Sequence, residues 1–501
     1  MRRHPLATLA LVLGTLAGLA VVLVGGGIAY AWWSAGIDTR GQVAFTRPLA
    51  VPPLAPSRSV DGVRTFSLTA REGRADLGGD EPSRTWGFDG EHLGPTLRAT
   101  RGEQVAVEVR NTLPESTSIH WHGMHLPAAM DGGPHQLVRP GATWRPTWEV
   151  DQPAATLWYH PHPHGRTAEH VARGLAGFFL LDDPESSALD LPHDYGRDDL
   201  PILLQDTNIR GDGSLVSSHG RTVIANGTPG AFVDVTTERI RLRLLNASTM
   251  RVLDVQLDDG GLLDLVATDG GLLPAPAPVD HLRLSPGERA EVVVTMEPGE
   301  RRVLQSVAPD LGGNVLSDRF DGGGAAFDIL QLRAAGTLAQ SPEVPAVLSS
   351  GTLATAGDED AVDRTRDIRV DGRSINGRSM DLGRIDFAPV VDTTELWVVR
   401  NTSGNGHNLH VHDVQFRVLS LDGRPPTAEY AGLQDTVFLD TGVEYRLLMR
   451  FTDHTDPDVP FMVHCHLLRH EDEGMMSQFV VVRPGEQPGT PPAVLDEDHH
   501  G

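Results

Sequence analysis

The sequence predicts an all-β protein of three β-sandwich domains behind an N-terminal apolar helix. Three observations carry this expectation. A strand-like pattern recurs three times, turns rich in Gly and Pro separate the strands, and helical periodicity is scarce beyond the first 36 residues.

The helix comes first. After Arg2 and Arg3 no charged residue occurs until Asp38, and this apolar run suffices to cross a bilayer. The basic pair ahead of it favours a cytoplasmic N-terminus and an exported body. Residues 1–36 therefore read as a signal anchor, with Trp32 and Trp33 at the outer interface. A cleaved signal peptide competes, because Ala29-Tyr30-Ala31 resembles a small-x-small cleavage site. The arginine pair also fits a minimal twin-arginine signal, although the rest of that motif is poor. Residues 37–59 read as a Pro-rich linker.

The three units follow. GPTLRATRGEQVAVEVRNTL (94–113), DVTTERIRLRLLNAS (234–248) and TTELWVVRNTSG (393–404) each alternate apolar and polar residues and run into an asparagine. A turn and another alternating strand follow each one, as in RPGATWRPTWEV, SPGERAEVVVTM and DTGVEYRLLMRF. Period-two alternation with such turns predicts antiparallel sandwiches at residues 60–184, 198–335 and 363–485. Residues 336–362 read as an exposed linker or a loop over the second unit, and 486–501 as an acidic tail. Thr167–Gly174 is the one short helix expected inside the body.

The net charge of −25 argues against nucleic acid as a partner and favours neutral or cationic substrates. A single cysteine, Cys465, cannot form a disulfide within its own chain. It is a reactive thiol, a buried bystander or a metal ligand.

Twelve of the 22 histidines lie in four blocks: HWHGMH (120–125), HPHPH (160–164), HNLHVH (407–412) and HCHLLRH (464–470). Two blocks fall in the first unit and two in the third. On a strand, residues i and i+2 share a face and i+1 takes the other. The imidazoles of His464 and His466 thus face one way and the Cys465 sulfur the other, so one strand can serve two metal sites. Structural zinc wants a closed tetrahedron; electron transfer between sites suits this arrangement better. On the sulfur side, Cys465, His470 and Met475 supply three members of a His₂Cys set with a weak axial Met, the blue-copper pattern. The second histidine must come from elsewhere in the third unit, and His407 is the candidate. On the other side, His120, His122, His160, His162, His410, His412, His464 and His466 are enough for a cluster of three coppers.

With these blocks in order, the chain resembles a three-domain multicopper oxidase, the family of laccases, bilirubin oxidases and bacterial cuprous oxidases. The family motifs His-x-His-Gly, His-x-His, His-x-x-His-x-His and His-Cys-His-x-x-x-His-x-x-x-x-Met are all complete here. The resemblance implies cupredoxin-like Greek-key domains over nearly everything after residue 50, and four copper ions. It implies His407, Cys465, His470 and Met475 at a type 1 copper, and His120 and His410 at a type 2 copper. His122, His160 and His466 would then hold one type 3 copper, and His162, His412 and His464 the other. The implied reactants are O₂ and a small reducing substrate. The middle unit reads as a spacer that holds the interface of the outer two.

Asp131 matches the family acid near the type 2 site, and Glu471 could relay protons or contact substrate. His125 and His164 read as supporting or surface groups, and His92, His135, His170, His193, His219, His281 and His454 as ordinary histidines. No methionine occurs between Met296 and Met380, unlike the methionine-rich segment of the cuprous oxidases. A laccase-like enzyme acting on phenols or aromatic amines is therefore expected ahead of a cuprous or ferrous oxidase. A non-catalytic exported copper-binding protein is the alternative from another class.

Overall fold

The computed structural model describes residues 5–492; Arg2, Arg3 and the end of the acidic tail, with His499 and His500, lie outside the described residues. Helix α1, Pro5–Ser34, carries no charged residue and is long and apolar enough to cross a bilayer. The body is all-β. Its strands form six sheets among the described residues, and three separate apolar cores lie between facing sheets, one in each successive unit.

The sheets are not purely antiparallel as expected. In every unit the first long strand runs parallel to the strand that ends in the recurrent asparagine. The pairs are Val63–Ala75 with Gln104–Asn111, Asp199–Thr207 with Arg239–Asn246, and Arg364–Asp371 with Thr393–Asn401. Between the two strands the chain visits the opposite sheet, at Leu97–Thr100, at Ala231–Thr237 and at Phe387. That excursion returns it to the starting end, so the second strand points the same way.

The asparagines explain why the repeat is visible. Each is fully buried, and each closes the same three hydrogen bonds. Asn401 Oδ1 accepts from Ser403 N (3.0 Å), while its Nδ2 donates to Asn405 O (2.8 Å) and Leu439 O (2.9 Å). Asn111 does this with Leu113, Glu115 and Val138, and Asn246 with Ser248, Arg251 and Leu284. A buried amide with every bond made ties a strand end to a strand across the sandwich. Asn401→Ala strands two carbonyls and one N–H at once. It is expected to cost about 3 kcal/mol, read as a lower urea midpoint with an unchanged slope.

Three further observations place the site. Within the segment read as a linker, Ile37–Asp38 pairs with Ala325–Ala326, and Arg47–Pro48 pairs with Ala231–Phe232, so it extends a sheet of the second unit. Strands of two residues are too short to show a period. Leu348, from the other presumed linker, is buried in the second core. Three short helices decorate the body near the site: α2 (Thr167–Ala172), α3 (Val315–Phe320) and α4 (Leu468–Asp472).

Candidate metal centre

Four short strands build the centre. In the first unit His120–His122 pairs antiparallel with Ala155–His160, placing His120 opposite His160. In the third unit His407–Val411 pairs with Phe461–His464, placing His410 opposite His464. Alternation then sorts the side chains. Leu409, Val411, Val463, Cys465 and Met475 join the apolar core of the third unit. His410, His412, His464 and His466 point the other way and meet the histidines of the first unit.

On the core side, Cys465 Sγ lies 3.6 Å from His407 Nδ1 and 3.7 Å from His470 Nδ1, and the two nitrogens are 3.1 Å apart. The centre of such a triangle is about 2 Å from each donor, the length of a first-row metal bond to imidazole or thiolate. Helix α4 supplies His470, and Met475 is fixed beside it by main-chain bonds to His470 (2.9 Å) and Cys465 (3.1 Å). Burial pushes His407 down to about 4 and His470 to about 2, so both rings are neutral and offer lone pairs. Burial pushes the Cys465 thiol up to about 12, so metal uptake must release its proton. Asn408 Oδ1, 3.5 Å from the sulfur, also accepts from Leu467 N at 3.0 Å.

On the interface side the imidazole nitrogens converge. His464 Nε2 is 3.1 Å from His162 Nε2 and 3.2 Å from His412 Nε2. His160 Nε2 is 3.4 Å from both His466 Nε2 and His122 Nδ1. His120 and His410 face each other through Nε2 at 3.4 Å. Outward hydrogen bonds fix the tautomers of five rings. His120 and His410 donate through Nδ1 to the main-chain oxygens of Asp131 (3.0 Å) and Asp435 (2.9 Å), and His160 donates to Pro161 O (2.8 Å). His412 Nδ1 donates to Asp131 Oδ2 at 2.7 Å. His122 is reversed: its Nε2 donates to Asp435 Oδ1 at 2.9 Å, which turns Nδ1 inward. Burial, then the neighbouring rings, holds His122, His160, His412, His464 and His466 well below the usual histidine range. Neutral lone pairs this close repel one another unless a cation lies between them. The donor chemistry therefore fits bound metal on both faces of the strand.

Asp131 thus orients two imidazoles directly. Glu471 is fully buried, 3.2 Å from His464 Nδ1 and 3.5 Å from His162 Nδ1. It is not part of the lining of the recess beside His470. One step along α4 turns a side chain by about 100°, and that carries Glu471 to the imidazole face. His125 donates to Asp413 across the two outer units, while His164 is exposed.

Several residues escaped the sequence reading. Asp435 is held by Arg289 through Nη1 (2.7 Å) and Nη2 (2.6 Å), both side chains being fully buried. Burial alone would raise the Asp435 carboxyl; Arg289 outweighs it and holds the group well below the carboxylate range. Arg289 comes from the second unit, which also accepts from Asn408 through Ser285 Oγ and Pro286 O. The middle unit is therefore more than a spacer, since its SPGER turn braces both faces. His219, read as ordinary, lies with Met250 and Phe438 in a recess beside His470.

The comparisons with known proteins agree with this geometry. Models described as multicopper oxidase match residues 69–186, 190–321 and 350–485. The multicopper oxidase mco of Staphylococcus aureus is 31% identical over 457 residues, 89% of this chain and 94% of that protein. The cell division protein FtsP of Yersinia pestis is 35% identical over 460 residues, 89% and 95% of the two chains. The laccase-like multicopper oxidase CueO of an Ochrobactrum species is 32% identical with a TM-score of 0.78, over 87% of this chain and 100% of that one. A Campylobacter jejuni multicopper oxidase described as a metallo-oxidase is 25% identical with a TM-score of 0.76, over 89% and 98%. Matches running in order through the whole body, with relatives above 30% identity along nearly their full length, establish that the chain belongs to the multicopper oxidase family.

Proposed function

We propose that the protein is an exported copper oxidase that takes single electrons from phenolic or aromatic amine donors and reduces O₂ to water. One observation carries this reading. The chain segment that puts the Cys465 sulfur against His407 and His470 also puts His464 and His466 into the imidazole group. In this reading His407, Cys465, His470 and Met475 hold a type 1 copper, and His120 and His410 a type 2 copper. His122, His160 and His466 hold one type 3 copper, and His162, His412 and His464 the other. When bound, four coppers supply four one-electron centres, the number of electrons that O₂ needs to become two waters.

The chain's own residues do the rest. His470 presents the edge nearest the recess, where a donor can approach. Cys465 joins that edge to His464 and His466 through a few covalent bonds. Asp131 and Glu471 place carboxyl groups beside the imidazole group, where O₂ reduction consumes protons. Complete burial of the eight imidazoles keeps bulk water away from them.

The gap between Met296 and Met380 supports a phenolic donor over Cu(I). The resemblance to a cell division protein supports a second reading, a copper-binding protein without turnover. Oxygen uptake by the copper-loaded protein separates these with four donors: a methoxyphenol, Cu(I), Fe(II) and bilirubin. The phenol is expected to be fastest, with four phenols oxidised per O₂. Preference for a metal ion would reassign the donor, and no uptake with any of the four would remove the oxidase reading.

A further inference from the structure

We propose that the recess beside His470 opens at the membrane surface and takes its electrons from a hydroquinone dissolved in the bilayer. The proposal rests on the oxidase reading above and names the donor class for the same site.

The path can be followed residue by residue. Helix α1 is about 45 Å long at 1.5 Å per residue, and its described side chains from Leu13 to Tyr30 are exposed. Its outer end is attached to the body. The Trp32 ring packs edge-on against Phe320, with centroids 6.4 Å apart. The Arg319 guanidinium lies over the same ring, and its Nε donates to Trp32 O at 3.1 Å. Only Ala35 and Gly36 separate the helix from Ile37, which is already paired with Ala325. This short connection and the contacts of Arg319 and Phe320 with Trp32 put α3 at the level where the helix leaves the bilayer. The surface there suits that position. Val315 is 75% exposed and Phe320 47%, next to the exposed Tyr30 and Trp33, the aromatic composition of an outer membrane interface.

The same segment borders the electron-accepting edge. Phe320 touches the anchor, and the next residue, Asp321, lines the recess with Leu311, His219, Met250 and His470. Asp321 Oδ2 accepts from Asn405 Nδ2 at 3.1 Å, and Ser317 Oγ donates to Gly404 O at 3.4 Å, so α3 also rests on the loop leading to His407. The recess is shallow, about 20 Å³, so a donor presents its ring at the mouth and does not enter. Its walls are mostly apolar. Beside His470, the side chains of Asp321 and His219 add polar groups to its lining. The Asp321 carboxylate can accept a phenolic hydrogen of a hydroquinone at the mouth. The balance closes: two hydroquinones become two quinones and release four electrons and four protons, which O₂ takes up to give two waters.

The test uses the full chain, copper-loaded and reconstituted into phosphatidylcholine vesicles. A long-chain alkyl hydroquinone, which does not exchange between vesicles, is placed either in the same bilayer as the protein or in separate vesicles. Unsubstituted hydroquinone in solution serves as the second donor. Oxygen uptake is expected to be about tenfold or more faster when protein and lipid donor share a bilayer, through their effective concentration. The double variant Val315→Glu, Phe320→Glu is expected to lower the shared-bilayer rate severalfold and to leave the rate with soluble hydroquinone unchanged. Equal rates in the two vesicle arrangements, or a shared-bilayer rate indifferent to the double variant, would overturn the proposal while leaving the oxidase intact. So would a mature chain that begins at Trp32, found by mass spectrometry. Failure to oxidise soluble hydroquinone would instead strike the oxidase reading itself.

Discussion

Cys465→Ser is expected to remove the visible absorption of the type 1 copper and the oxidation of every donor together. The serine hydroxyl is a hard, neutral donor where the site offers a thiolate, so the trigonal His₂Cys set loses the ligand that defines it. The substitution is small and sits in a fully buried position of the third core, so the sandwich should survive it. The imidazole group lies on the opposite face of the strand and keeps every nitrogen. Copper content is therefore expected to fall by about one equivalent per chain, the outcome for losing a single site. Donor oxidation should drop to background, because the remaining coppers have lost their route to His470. The decisive measurement is oxygen uptake with a phenol at matched copper loading. A variant that still turned over would show that electrons reach the imidazole group by another path.

What the sequence revealed and what it hid follow from the range of the contacts involved. The all-β class and the three units were legible because alternation is local and the asparagine that closes each repeat is needed for packing. Cys465 and His470 were legible for the same reason, being five residues apart on one segment; His407, 58 positions from Cys465, was named from the donor set that a blue-copper site needs. Glu471 shows the limit, since its side of α4 depends on where that short helix begins. Asp435 had no local signature. It stands between Leu433–Gln434 and Thr436–Leu439, where an aspartate reads as a turn residue. Its meaning comes from Arg289, 146 positions away, and His122, 313 positions away. The membrane-side path was equally hidden, because Trp32 and Phe320 meet only through the pairing of Ile37 with Ala325.

Asp435 carries the second large expected effect, and it tests how the three units act as one. His122 is the only one of the eight imidazoles seen to donate through Nε2 and turn Nδ1 inward, and the Asp435 carboxylate is what selects that tautomer. The same carboxylate neutralises Arg289, whose other donors are bound to Thr156 O, Gly287 O and Asp269 O. Asp435→Asn keeps the shape and removes the charge. The amide must then turn its NH₂ either towards His122, which disfavours the inward Nδ1, or towards Arg289, which repels it. Either choice weakens the imidazole group, and loss of such a supporting carboxylate typically costs about 10–100-fold in metal affinity or activity. Oxygen uptake is expected to fall by that amount while the type 1 absorption stays unchanged, because Asp435 does not touch the Cys465 group. That split separates a positioning role from simple unfolding, in which both signals would vanish. Arg289→Met should resemble Asp435→Asn in direction, since the unpaired Asp435 is then left as a buried charge. Unaltered oxygen uptake in both variants would mean that the bracing turn of the second unit serves only the packing of the domains.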